Sequence, residues 1–213
     1  FYAGNPSVHN IGTLLSVPML SRVLKSRSAF SATSVDQLPQ QLVSYLMYGH
    51  QFLIPIPDID HTQHMLIIGA NPIASNGSMM TVPDVARRLK AIRQRAGKVV
   101  VVDPRRTETA AIADEHHFIV PGSDAVLLMA MINIIHNSGQ ARIRNRAQLK
   151  GLDEALAAIA HVDAGRAAAV TGIAAADITR LALDFATADS AVCYGRIGTT
   201  DRKSTRLNSS HRM

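Results

Sequence analysis

From His64 onward the chain alternates between short unbroken apolar runs and longer segments whose apolar residues return every three or four positions. "MLIIG" (65–69) and "KVVVVD" (98–103) are of the first kind, closed by a glycine or an acid, and predict strands buried on both faces of a parallel sheet. "VPDVARRLKAIRQRAG" (82–97) is of the second kind: Val85, Leu89 and Ile92 fall on one helical face, Pro83 suits the first turn, and Gly97 is the stop. "TETAAIAD" (107–114) predicts a short helix and "FIV" (118–120) a third strand. "PGSDAVLLMAMINIIHNSG" (121–139) predicts a helix started by Ser123 or Asp124 and ended by Gly139. Residues 151–188 are Ala-rich and helical in pattern, and "AVCYGRIG" (191–198) reads as one more strand and loop.

Strand and helix in alternation with short connections predict an α/β fold, a Rossmann-like parallel sheet with flanking helices and right-handed crossovers. This region spans 61–200. Residues 1–60 form a separate, irregular segment, in which Gly, Pro, Ser and Asn interrupt the pattern and only 39–48 reads as a helix before the Pro-rich turn "IPIPDID". Residues 201–213, "DRKSTRLNSSHRM", have no period of either kind. Asp201–His211 can be read codon by codon from a common sequencing-library adapter, so this tail is expected not to be native. The opening "FYAG" has no initiator Met and no signal-like pattern, and the chain is expected to be an internal fragment.

Composition changes this picture little. With 213 residues, 47% of them hydrophobic, the chain can bury roughly 70% of its unfolded surface and needs no disulfide or structural metal to fold. Its one cysteine, Cys193, forbids an internal disulfide. The longest nearly apolar run, Ala125–Ile135, is far short of the roughly 20 residues of a membrane helix, which argues against membrane insertion. A net charge of +6 suggests nucleic acid as a partner, but without the tail's four basic residues and one acid it falls to +3. No nucleic-acid partner is expected.

Ligands of open parallel sheets sit beyond the carboxyl ends of the strands, where three loops here converge: 69–75, 103–107 and 121–124. Gly69 and Gly122 clear the backbone, Asn71, Ser75, Thr107 and Ser123 add short polar groups, and Arg105 and Arg106 can neutralise a pyrophosphate. Asp103 stands where dinucleotide folds place a ribose ligand. Ordinary turn and capping chemistry would use the same residue types. The first loop reads G-A-N-P-I-A-S rather than G-x-G-x-x-G, which disfavours the alternative of a plain NAD(P)-binding dehydrogenase domain.

Taken in order, "YAGNPSVHNIG", "SATSVDQLP", "PDIDHTQHMLIIGANPIASNGSM", "VVVVDPRRTETAAIADEH", "VPGSDAVLL" and "YGRIGT" resemble the molybdopterin-dependent oxidoreductases of the formate dehydrogenase and nitrate reductase type. The resemblance covers nearly all of residues 1–200. It implies part of a larger multidomain catalytic subunit with a bis(molybdopterin guanine dinucleotide) cofactor holding molybdenum or tungsten. It also implies a [4Fe-4S] cluster, an electron-transfer subunit as partner, and a small-molecule or inorganic substrate such as formate or nitrate. This segment would grip one guanine dinucleotide through Gly69, Asn71 and Ser75, through Asp103, Arg105 and Thr107, and through Gly122, Ser123 and Asp124. Guanine presents parallel donors at N1 and N2 that suit a carboxylate. Asp124 is assigned to guanine and Asp103 to ribose, with the pyrophosphate near Asn71, Ser75, Arg105 and the adjacent helix N-terminus. A cluster needs four cysteines, and the family's metal ligand is absent too, so no catalytic residue or metal ligand is assigned and the isolated chain is expected to be inactive.

Other conspicuous residues read as structural. The pairs His61/His64 and His116/His117 fall in turns and are taken as surface histidines, and Cys193 as a small core hydrophobe. Arg87, Arg88, Lys90, Arg93 and Arg95 form a solvated helix face, and Met129 and Met131 belong to a core helix.

Overall fold

A computed structural model describes residues 2–4, 10–31, 37–77, 80, 82–143 and 145–200. The tail from 201, and parts of the motifs at 5–9, 32–36, 78–79 and 81, lie outside the described residues. Two compact units divide the chain, with the break between Pro55 and Ile56.

In the first unit, strand β1 (Tyr2–Ala3) pairs in parallel with β2 (Phe30–Ser31). Between them runs helix α1 (Ile11–Val23), which the sequence reading missed because Gly12 and Pro18 interrupt its pattern. Asn10 overrides them: its Oδ1 accepts the Thr13 amide at 2.9 Å and caps the first turn. Helix α2 (Leu38–Tyr48) matches the predicted one and ends at Gly49, whose φ of 80° closes the last turn.

The second unit is a parallel sheet in the order β5-β4-β3-β6, made of β3 (His64–Ile68), β4 (Lys98–Val102), β5 (Glu115–His117) and β6 (Ala191–Gly195). Alternate residues of the two central strands feed two cores. Leu66, Ile68, Val100 and Val102 meet helices α5 (Asp124–Asn137), α7 (Ala164–Thr171) and α8 (Ala175–Thr187) through Leu127, Ala167, Ile178 and Leu181. Met65, Ile67, Val99 and Val101 meet Val85, Leu89 and Ile92 of helix α3 (Val85–Gln94) on the other face. Burial on both faces is what unbroken apolar runs demand. Helices α4 (Glu108–Ile112) and α6 (Leu152–Ile159) complete the regular elements before the site.

Several local expectations are corrected. The third strand is not 118–120 but Glu115–His117, with Val100, Val101 and Val102 opposite Glu115, His116 and His117. An edge strand keeps one side open to solvent, so charged side chains can stay there where an apolar run would be expected. The histidine pair 116/117 therefore lies in the sheet rather than in a turn. His64 is not a surface histidine either: it is the first residue of β3, 4% exposed, with its ring edge-on to Phe185 at 5.7 Å. Burial and then the Lys98 charge hold its imidazole below the usual histidine range.

Pro83 precedes the helix rather than starting it, because Asp84 sits at the N-cap with φ 53°. Gly97 does not supply the left-handed stop, which falls on Ala96 at φ 62°. It is needed for closeness instead: a Cβ at Gly97 would come within 2.4 Å of the Gln63 carbonyl oxygen. Cys193 is exposed on edge strand β6 rather than in a core, although the protein packed behind it pushes its thiol up to about 11. Met131 is buried as expected, whereas Met129 is exposed.

Candidate functional site

Parallel strands leave their carboxyl ends on one side, and here the segments that follow β3, β4 and β6 meet by direct bonds. The Gly69 amide donates to the Val102 carbonyl at 3.0 Å, and the Gly198 amide donates to the Gly69 carbonyl at 3.0 Å. Gly69 has φ 56°, and a Cβ there would strike Gly198 Cα at 2.8 Å. Its freedom from a side chain is thus spent on the segment after β6, which ends in helix α9 (Ile197–Thr200). Tyr194 adds a second tie, its hydroxyl donating to the Gly77 carbonyl at 3.1 Å.

The first loop is also fastened to the second. Asn71 Nδ2 donates to Glu108 Oε2 at 2.6 Å, while its Oδ1 accepts from the Thr109 hydroxyl at 2.7 Å and the Thr109 amide at 3.2 Å. The Asn71 carbonyl accepts the Ala74 and Ser75 amides at 3.1 Å each and the Ser75 hydroxyl at 3.2 Å, folding the loop into a turn. Asn71 is therefore engaged at every polar atom of its side chain. Ser75 stays exposed at the surface of that turn.

In the second loop, Asp103 Oδ1 accepts the Arg105 amide at 2.8 Å, and its carbonyl accepts His116 Nε2–H at 3.1 Å. Thr107 is buried and caps α4, its Oγ1 accepting the Ala110 amide at 3.1 Å. Arg105 is exposed, with its nearest carboxylate, Glu108, at 4.0 Å. Arg106 is likewise exposed.

The third loop turns on Gly122 at φ 81°. Ser123 is the N-cap of α5, yet its hydroxyl donates backwards to the Val120 carbonyl at 2.6 Å and accepts from no helix amide. That leaves the helix start to Asp124, which is 8% exposed. Burial raises the Asp124 carboxyl above the usual range, and the charge of Asp103 raises it further, while its own backbone amide works against both. Asp103 is raised as well, by burial, against the opposing Arg105 amide and charge. Among the described residues no basic side chain forms an ion pair with either acid.

Two carboxylates that resist ionisation, an exposed guanidinium and a polar turn thus share one end of the sheet. Such a surface accepts hydrogen bonds from a neutral donor face and offers a cation to an anion. Sequence reasoning did not single out Glu108, Thr109 or Gly198. The first two lie in "TETA" and the third in "YGRIGT", but spacing gives no sign that they bond across the chain. Among the described residues no group of three or more metal-binding side chains occurs, and no helix is long and apolar enough to cross a membrane. The basic face of α3 is largely spoken for: Arg87 pairs with Asp84, Arg88 with Asp60, Arg93 with Asp114 and Arg95 with the Ile59 and Thr62 carbonyls.

A family model described as molybdopterin oxidoreductase matches residues 5–183. The F420-dependent formate dehydrogenase 2 subunit alpha of Methanococcus maripaludis is 30% identical over 149 residues, covering 68% of this chain and 21% of that protein. The assimilatory nitrate reductase of Haloferax mediterranei is 33% identical over 128 residues, covering 59% of this chain and 16% of that protein. The solved structure of acetylene hydratase from Pelobacter acetylenicus aligns with a TM-score of 0.69 at 26% identity, covering 84% of this chain and 24% of that one. The chain thus spans about a fifth or less of the length of these curated relatives.

Proposed function

We propose, starting from the fact that the chain belongs to the molybdopterin oxidoreductase family, that its strand ends hold the guanine dinucleotide of one pterin of a bis(molybdopterin guanine dinucleotide) cofactor. The observation that carries this reading is the pair Asp103 and Asp124: a half-buried and a buried carboxyl group, near enough that the charge of the first raises the second, with no basic ion-pair partner among the described residues. Guanine presents two parallel N–H donors, and one carboxylate can accept both. NAD's adenine presents an acceptor beside its donor and cannot do this. The residues present therefore fit the group.

Within this reading the nine residues divide by what they do. Asp124 accepts from guanine, Asp103 from a ribose hydroxyl, and Arg105 neutralises pyrophosphate beside the exposed Ser75, whose hydroxyl would give up its 3.2 Å bond to the Asn71 carbonyl in order to donate to it. Gly122 lets the third loop approach the base. Asn71, Thr107, Ser123 and Gly69 shape the loops, since their polar atoms or their bareness are already used within the protein.

The cofactor's molybdenum or tungsten supplies two-electron redox chemistry. In the parent enzyme that chemistry would act on a small substrate such as formate or nitrate and pass electrons to a partner subunit. This chain's part is to bind and orient one nucleotide arm. Its single cysteine cannot hold a [4Fe-4S] cluster, which would be bound by residues outside 1–213.

Calorimetric titration of the 213-residue chain with guanosine 5′-diphosphate, NAD and duplex DNA tests the assignment. Preference for the guanine nucleotide is expected, and preference for NAD or DNA would overturn it. Asp124→Asn removes one acceptor and places an amide N–H against guanine's donors, so affinity should fall about tenfold or more. Unchanged affinity would take Asp124 out of the site.

A further inference from the structure

Thr109 is wholly buried, at 0% exposure, yet it is bonded to a different loop from its own. Its hydroxyl donates to Asn71 Oδ1 at 2.7 Å and accepts the Ile73 amide at 3.2 Å, while its own amide donates to Asn71 Oδ1 at 3.2 Å. One hydroxyl thus serves as donor and acceptor to the same turn, two residues apart. The turn it grips is the one that presents Ser75, and the helix it sits on follows Arg105 and is capped by Thr107.

We infer that Thr109 is a positioning residue for the nucleotide: it sets the distance between the Ser75 turn and the Arg105 loop, and with it the width of the cleft that receives the pyrophosphate. This rests on the nucleotide reading above. The physical ground is that anion recognition by separate loops depends on their spacing, and a buried hydroxyl satisfied in both roles fixes spacing far better than a surface contact. Thr109's methyl group is buried with the rest of the side chain, next in sequence to Ala110, which lies in the core. On this inference the loop spacing depends on the hydroxyl and not on the methyl, and the two can be removed separately.

Two variants of the 213-residue chain separate them. Thr109→Val keeps shape and volume and removes the hydroxyl. Thr109→Ser keeps the hydroxyl and removes the methyl. Binding of guanosine 5′-diphosphate, thermal midpoint and hydrogen exchange of the Ile73 amide are measured for each. Thr109→Val is expected to bind roughly tenfold more weakly and to exchange the Ile73 amide faster, and its midpoint falls too because that amide loses its acceptor. Thr109→Ser is expected to keep wild-type affinity and slow exchange while its midpoint falls.

A merely structural residue would lose affinity in step with midpoint in both variants, and that pattern overturns the inference. So does wild-type affinity in Thr109→Val. Failure of the wild-type chain itself to bind the nucleotide overturns the reading beneath, and the inference with it. Normal wild-type binding with no effect in Thr109→Val overturns the inference alone.

Discussion

Asp103 and Asp124 hold their protons to higher pH than free aspartates do, because burial costs the charged form more than the neutral one. The sign of the effect follows. A carboxyl whose folded pKa lies above its unfolded value stabilises the fold only while protonated, so stability falls as pH rises from the unfolded value through the folded one. Above that window the penalty is complete. Asp103→Asn keeps the acceptor that receives the Arg105 amide but removes the charge that opposes Asp124. Its melting temperature should rise by about 1–3 °C at pH 7 and match the wild type near pH 3. Equal melting temperatures at pH 7 would show that the two acids do not feel each other. Both aspartates were legible in the sequence, since each stands at the boundary between an apolar run or turn and a helix. The commitments of Asn71 and Thr109 were not, because their bonds join residues 38 positions apart.

Among elements, the strands were the most readable and their connections the least. Continuous Val and Ile runs left no alternative to burial on both faces, and β3 and β4 lie where the runs are. β5 was misplaced because its three residues are charged or imidazole-bearing, and their fitness for a strand comes from partners elsewhere. Gly97 was expected to stop a helix and Gly69 to clear the backbone for a ligand, whereas both, together with Gly198, are sites of close approach within the protein. A Cβ at Gly198 would lie 2.6 Å from Gly69 Cα and 2.8 Å from Gly69 O, atoms that cannot move without dragging β3. Gly198→Ala should therefore lower unfolding free energy by about 1–3 kcal/mol in chemical denaturation. It should also weaken guanosine 5′-diphosphate binding, because the first loop shifts with it. A variant of wild-type stability would mean that the segment after β6 is free to withdraw.

At the scale of the whole second unit, the sheet's amino-terminal edge is held by charge where its carboxyl edge is held by loops. Glu115 accepts from Lys98 at 2.6 Å, Arg180 at 2.9 Å and His117 at 3.2 Å, and Lys98 also reaches Asp184 at 3.0 Å. Burial alone would raise the Glu115 carboxyl, but these hydrogen bonds pull it down to about 2. Its stabilisation is complete above its ordinary value of 4.5 and is lost as pH falls towards about 2. With solvent screening this amounts to about 2 kcal/mol. Glu115→Gln should unfold that much more readily at pH 7, with the gap to wild type closing near pH 2 in denaturant titrations. A gap independent of pH would remove the ion pairs from the explanation.

The parallel pairing of β3 with β6 also has a consequence for biosynthesis. His64–Ile68 leaves the ribosome long before Ala191–Gly195, its register partner. Until the later segment is translated, the central strand presents one row of unsatisfied amides and carbonyls to any neighbour. Completion of this sheet is therefore late and non-local, and the edge of β3 stays open to mispairing until β6 is available.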